Sequence, residues 1–182
     1  LRETQRMLAP LRQGRALNLR LRPTPVGQLL ERCVNRFQPL AHQRNLRLRL
    51  DLPPGQLQVP ADELLVDVAI SNLLENAIKY CFFNREVSVR ATVRPGDVEV
   101  EVVDTGHGVP DENSESIYLP YGRHFRGDNL RSIQGEGMGL YLAREVARAH
   151  GGDLVHTSRE VGSGDRPAHR VSFRLRIPLG VV

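Results

Sequence analysis

Four residues spaced along one short stretch have the chemistry to hold a nucleoside phosphate. They lie in Asn72-Leu73-Leu74-Glu75-Asn76-Ala77-Ile78-Lys79-Tyr80. In a helix each residue turns by ~100°, so positions 72, 76, 79 and 80 fall within about 100° of arc. That face carries two amides, an ammonium and a phenol. Amide carbonyls can ligand a hard cation, and an ammonium can meet the phosphates such a cation accompanies. Of the 25 basic residues, 24 are Arg and Lys79 is the one Lys. Taken alone, the nonamer reads equally well as the polar face of a solvated helix.

Two other segments have related chemistry. Asp104-Thr105-Gly106-His107-Gly108 ends a run of alternating Val residues. A carboxylate there can accept a hydrogen bond from the exocyclic amine of a base, and the glycines let backbone approach a ring. Alone, Asp-Thr-Gly reads more readily as a simple turn. Gly135, Gly137 and Gly139 lead into a helical pattern, with Met138 and Leu140 between and after them. Free N–H groups at a helix start favour phosphate, although glycine-rich turns before helices are common.

These segments need elements to position them. Thr24-Pro25 opens a helix to about residue 43, with Leu29, Leu30, Val34 and Phe37 on one stripe. Strands are expected near 45–51 and 57–59, separated by Pro53-Pro54-Gly55. Asp62 is a candidate N-cap for the helix carrying 72–80, whose Leu64, Leu65, Val68, Leu73 and Leu74 supply a core face. Val87–Val93 and Val98–Val103 alternate in period two around Arg94-Pro95-Gly96-Asp97, a hairpin. Residues 109–134 are polar and without periodicity, a long loop of the functional kind. A helix then runs to His150, stopped by Gly151-Gly152, and strands near 153–158 and 170–177 close the chain. Residues 1–16 read as helical with Pro10 as an interruption, and 17–23 as a linker or edge strand. The expected fold class is α/β: a two-layer sandwich, a mixed, mostly antiparallel sheet with helices packed on one face.

Composition sets the bounds. With 182 residues, 40% hydrophobic, 5% aromatic and no Trp, the chain can form one aliphatic-cored domain. No apolar run approaches the ~18 residues of a membrane span. A first residue of Leu suggests a piece of a longer protein, whose other parts could carry such spans. Cys33 and Cys81 are too isolated for a disulfide framework or zinc site and are expected to be reduced. Net charge is +4. The Arg residues are scattered, and no aromatics interleave them, so nucleic acid is not the expected partner. No Gly-Lys-Ser or Gly-Lys-Thr is present, which excludes a P-loop, and Gly135–Leu140 lacks the spacing of a dinucleotide fingerprint.

In this order the three segments resemble the catalytic ATP-binding domain of sensor histidine kinases, in the GHKL superfamily. Asn72–Tyr80 is similar to the asparagine box. Asp104–Gly108 is similar to the first glycine box and Gly135–Leu140 to the second. Tyr121-Gly122-Arg123-His124-Phe125-Arg126 sits where a phenylalanine box is expected, with Tyr121 and His124 in place of phenylalanines. The resemblance spans about residues 24 to 178, with 1–22 as the end of a dimerisation helix plus linker and 23–182 as the catalytic domain.

The resemblance implies roles. The cofactors would be ATP and Mg²⁺, the metal on Asn76 with Asn72 beside it. Lys79 would contact phosphate and Tyr80 would pack by adenine. Asp104 would select adenine, with Gly106 and Gly108 bordering the base. Gly135, Gly137, Met138, Gly139 and Leu140 would frame the phosphates. Arg126 either reaches the γ-phosphate from the lid or is a solvated loop Arg. Gly162-Ser163-Gly164 is followed by Asp165 rather than Thr, and Asp165–Val171 resembles an insertion, so Ser172 is the candidate hydroxyl near Asp104.

Gyrase-like and chaperone-like relatives place a Glu four residues before the metal Asn; here Asn72 stands there. An amide is no general base, so ATP would be kept for an external acceptor rather than hydrolysed. None of the six His precedes Asp or Glu, so the acceptor His is expected on a separate dimerisation domain. The implied partners are that domain, a response regulator receiver domain and a second copy in a homodimer. The implied location is cytoplasmic, with the parent protein in the bacterial inner membrane. Two alternatives share the site: an anti-sigma-type serine kinase, and a nucleotide-sensing module without catalysis.

Overall fold

The computed structural model describes residues 17–109, 114–121, 137–161 and 168–180. Strand β1 (Arg22–Pro25) leads into helix α1 (Val26–Gln43), followed by β2 (Arg47–Asp51) and β3 (Gln58–Ala61). Helix α2 (Glu63–Tyr80) precedes the hairpin β4 (Glu86–Arg94) and β5 (Asp97–Gly106). A short 3₁₀ turn, Ser116–Tyr118, comes before helix α3 (Gly139–Ala149), and β6 (Asp153–Glu160) and β7 (His169–Pro178) follow.

The main sheet has the order β2-β4-β5-β7-β6. Only β2 and β4 are parallel; the other three pairings are antiparallel. A separate ribbon pairs β1 with β3. Alternation along the strands decides the layering. Val98, Val100, Val102 and Asp104 of β5 are buried on one face, as are Val171, Phe173, Leu175 and Ile177 of β7. The helices cover that face with Leu29, Leu30, Leu65, Ile70, Leu73 and Leu74, all essentially inaccessible. This is the expected two-layer α/β sandwich.

Helix α2 is the central rod. Asp62 caps it as expected, its carboxylate accepting from Leu65 N–H at 3.2 Å. The other Asp62 oxygen accepts from Arg20 N–H, and the Asp62 N–H donates to His150 Nε2 at 3.0 Å. One residue thus ties the 17–21 segment, the start of α2 and the end of α3. Leu64 differs from expectation. It is 38% exposed, while Leu65 and Val66 beside it are buried. One helical step moves a side chain by ~100°, and Leu64 falls outside the stripe that faces the sheet. The helical reading of 1–16 falls outside the described residues. The two cysteines are free and buried.

Candidate nucleotide site

The site forms where the C-terminal end of α2 meets the C-terminal end of β5. The backbone makes the joint. Cys81 and Gly106 form an isolated antiparallel bridge, and Phe82 N–H donates to Thr105 O at 3.0 Å. Gly106 is required by contact: a Cβ there would collide with the Tyr80 carbonyl and stand 3.2 Å from Asp104 Oδ1. The absent side chain therefore lets the Tyr80 backbone pack beside Asp104. Gly108 has φ +79°, and a Cβ on it would run into the His169 ring.

Asp104 is the electrostatic anomaly of the fold. It is 3% exposed, and its Oδ1 has no hydrogen-bond partner. Burial pushes its carboxyl up to about 7. The strand register explains the missing partner, because Asp104 lies opposite Val171, whose side chain has nothing to donate. A buried acceptor without a donor costs stability, and native folds keep such groups where a ligand completes them. An adenine amine is a donor of the right kind.

Ser172 requires a correction. It pairs with Val103, so it lies on the sheet face opposite Asp104. Its hydroxyl donates to Glu101 Oε1 on that face. The period of two puts residue 172 on the wrong side, and residue 171 is the one that meets Asp104.

The other end of the site joins α2 to α3. Asn72 Nδ2 donates to Val68 O at 2.9 Å, which turns its carbonyl oxygen toward α3. There a Cβ on Gly139 would stand 2.9 Å from Asn72 Oδ1. Gly137 has φ +73°, Met138 is buried, and Leu140 packs against the core edge. The α3 N-cap, Met138, makes no side-chain hydrogen bond, and a helix start is a place where N–H groups favour anions. Asn76 and Lys79 lie on α2 between the two ends, both half-buried, and the Lys79 ammonium sits 5.5 Å from the Tyr80 ring centre. Glu75 is exposed, off this face.

The structure thus brings Tyr80, Asp104, Gly106 and Gly108 together at one end of α2, and Asn72, Gly137, Met138 and Gly139 at its middle. Arg126 and Gly135 lie outside the described residues. Among the described residues, no group of three His, Cys, Asp or Glu is placed to hold a metal. An oriented amide carbonyl at Asn72 is instead a ligand of the hard-oxygen type Mg²⁺ takes. Two contributors had no signal in the sequence. Arg44 donates to the Lys79 carbonyl at 2.9 Å. Tyr118 is buried, bonds His156 Nδ1 at 2.9 Å and lies 4.2 Å beneath the Arg144 guanidinium, anchoring the segment that follows β5.

Comparison with known proteins identifies the family. The family model described as histidine kinase-, DNA gyrase B- and HSP90-like ATPase matches residues 61–181, more than half of the chain. The adaptive-response sensory kinase SasA of Synechocystis sp. is 32% identical over 87% of this chain and 39% of its own length. Histidine protein kinase DivJ of Caulobacter vibrioides is 37% identical over 74% of this chain and 21% of its own. The chain therefore spans well under half the length of these relatives. The catalytic domain of histidine kinase ThkA has the same fold, with a TM-score of 0.71 at 22% identity over 88% of this chain and 97% of that one. The mycobacterial sensor histidine kinase MprB aligns with a TM-score of 0.69 at 23% identity, covering 87% and 99% of the two chains. With the family model matched across both ends of the site, the chain belongs to the histidine kinase-, DNA gyrase B- and HSP90-like ATPase family.

Proposed function

We propose that this chain is the ATP-binding catalytic domain of a sensor histidine kinase, which passes the γ-phosphoryl group of ATP to a His on a separate dimerisation domain. One observation carries the reading. A buried carboxylate oxygen of Asp104 without a hydrogen-bond partner lies beside Gly106, at the joint of α2 and β5. Helix α2 links that end directly to the oriented Asn72 carbonyl beside Gly139.

Asp104 accepts from the adenine amine, and the flexible Lys79 ammonium meets the phosphates. Gly137 and Gly139 let the α3 amides approach those phosphates without an intervening side chain. Asn76 and Asn72 hold Mg²⁺, which, when bound, neutralises phosphate charge. Where a hydrolytic base would stand, four residues before Asn76, the chain has Asn72, and Glu75 is exposed. The site thus aligns ATP for transfer rather than activating water. A receiver domain takes the phosphoryl group onward, the parent protein is a homodimer, and this domain lies on the cytoplasmic side of the membrane that anchors it. Residues 1–22 belong to the preceding dimerisation helix and linker.

Titration with a non-hydrolysable ATP analogue, with and without Mg²⁺, tests the site. Binding should be Mg²⁺-enhanced and weakened in both Asp104→Asn and Asn76→Ala; unchanged affinity in both variants sinks the assignment. Labelled ATP with an added dimerisation domain tests the transfer. Label on a His supports the kinase, and tight binding without label identifies a nucleotide-sensing module instead.

A further inference from the structure

Helix α1 ends in a tight turn whose geometry aims one side chain at the nucleotide site. Leu46 N–H returns to Ala41 O at 2.9 Å and Asn45 N–H to His42 O at 3.0 Å, with Asn45 at φ +51°. This paired closure leaves Arg44 at the C-cap, next to the end of α2. Its Nη1 donates to Lys79 O at 2.9 Å and its Nη2 to Cys81 O at 3.2 Å. The guanidinium plane lies 4.9 Å from the Phe83 ring centre.

Lys79 O is among the last carbonyls of α2, which find no partner within the helix. Tyr80 sits between the two carbonyls that Arg44 holds, and its own carbonyl abuts Gly106. The residues on either side of Tyr80 are therefore fixed by one planar fork. A Lys ammonium could not hold both carbonyls with the same fixed spacing.

We propose that Arg44 is a positioning residue for nucleotide binding: its fork holds the carbonyls flanking Tyr80 and so sets the side chains of Lys79 and Tyr80 against Asp104. The inference rests on the nucleotide reading of this site. Arg44 touches no ligand; it acts through the backbone that carries two groups which do. Rigid support of this kind is what keeps binding groups within productive reach. A second arginine on the same helix supplies the control. Arg36 pairs with Asp67 at 2.9 Å, more than three turns nearer the start of α2 than Lys79. Its loss disturbs the α1–α2 seam without touching the end of α2.

The experiment measures ATP-analogue affinity and melting temperature together for Arg44→Ala, Arg44→Lys, Arg36→Ala and Asn76→Ala. Arg44→Ala should bind about tenfold more weakly, and Arg44→Lys, with one bond recoverable, about threefold. Arg36→Ala should stay within about twofold of the parent even where it melts at the same lowered temperature as Arg44→Ala. Parent-like affinity in Arg44→Ala, with Asn76→Ala weakened, overturns the positioning role. Equal losses in Arg36→Ala and Arg44→Ala also overturn it, as they reduce Arg44 to general packing. If Arg44→Ala does not fold, the Arg44→Lys affinity decides alone: parent-like binding refutes the fork. Parent-like affinity in Asn76→Ala as well removes the site reading, and the proposal with it.

Discussion

The two ends of the site are built in opposite ways. At the base end, α2 and β5 are fastened by backbone: the Cys81–Gly106 bridge, the Phe82-to-Thr105 bond and the Arg44 fork. The buried Asp104 Oδ1 there has no hydrogen-bond partner. At the phosphate end, Gly139 closely approaches the Asn72 side chain, and the helix start has no side-chain cap. The first end is fastened by backbone and short of one donor; the second presents a helix start, where N–H groups favour anions. A flat base with one amine suits the first, and a chain of anionic oxygens suits the second. Fixed geometry selects the ligand, and open geometry accommodates its charge.

Substituting the glycines tests this contrast most harshly. Gly106→Ala places a methyl against the Tyr80 backbone carbonyl, which the bridge prevents from moving. The fold should lose about 3 kcal/mol, read as a lowered melting temperature, and nucleotide binding should vanish with it. A parent-like melting curve would show that the base end is less rigid than described.

Asp104→Asn separates stability from binding. Burial raises this carboxyl in the folded state to about 7, while the unfolded chain loses the proton near pH ~4. The folded state therefore binds more protons in between, so the free parent protein loses stability as pH rises across that window and levels off above it. Asn carries no charge and removes the slope. The variant should be more stable than the parent at pH 8 by on the order of a few kcal/mol, yet bind ATP about 30-fold more weakly. Binding by the parent needs the carboxylate, so its affinity should decline by up to about tenfold per pH unit below 7. Denaturant melts and titrations at pH 6 and 8 read both effects; identical pH profiles for parent and variant would contradict them.

The matching change at the phosphate end should be milder. The Gly139→Ala methyl meets Asn72 Oδ1 at 2.9 Å, the tip of a side chain that can rotate away. Ala also suits a helix better than Gly by about 1 kcal/mol. Melting temperature should hold or rise while ATP affinity falls about tenfold. A loss of stability as large as that of Gly106→Ala would erase the distinction between the two ends.

The smallest effect belongs far from both. Asp62→Ala removes the N-cap of α2 and the acceptor for Arg20, costing about 1 kcal/mol with nucleotide affinity nearly unchanged. A marked affinity loss would mean that the whole α2 rod, and not only its C-terminal half, sets the site.

Much of this was written locally. The Asp62 cap, the Val-alternating hairpin around Pro95-Gly96 and the stop at Gly151 depend on neighbours in sequence, and they sit where pattern and turn chemistry put them. The asparagine face is likewise a property of one helix. The errors came where the partner is distant. Leu64 reads as core because it is apolar, yet the helix turns it outward. Ser172 reads as adjacent to Asp104, but a single residue of register puts Val171 there instead.

The sequence by itself determined which groups were available: two amides, one ammonium, one carboxylate and glycines at the points of close approach. It also determined their periodicity, because helix and strand geometry follow from local chemistry. Only the tertiary structure decided that Asp104 lacks a donor, that Gly106 yields its space to Tyr80 and that an arginine from α1 braces the end of α2. Desolvation, register and the satisfaction of buried carbonyls depend on what lies across a gap in space. No window along the chain encodes them singly.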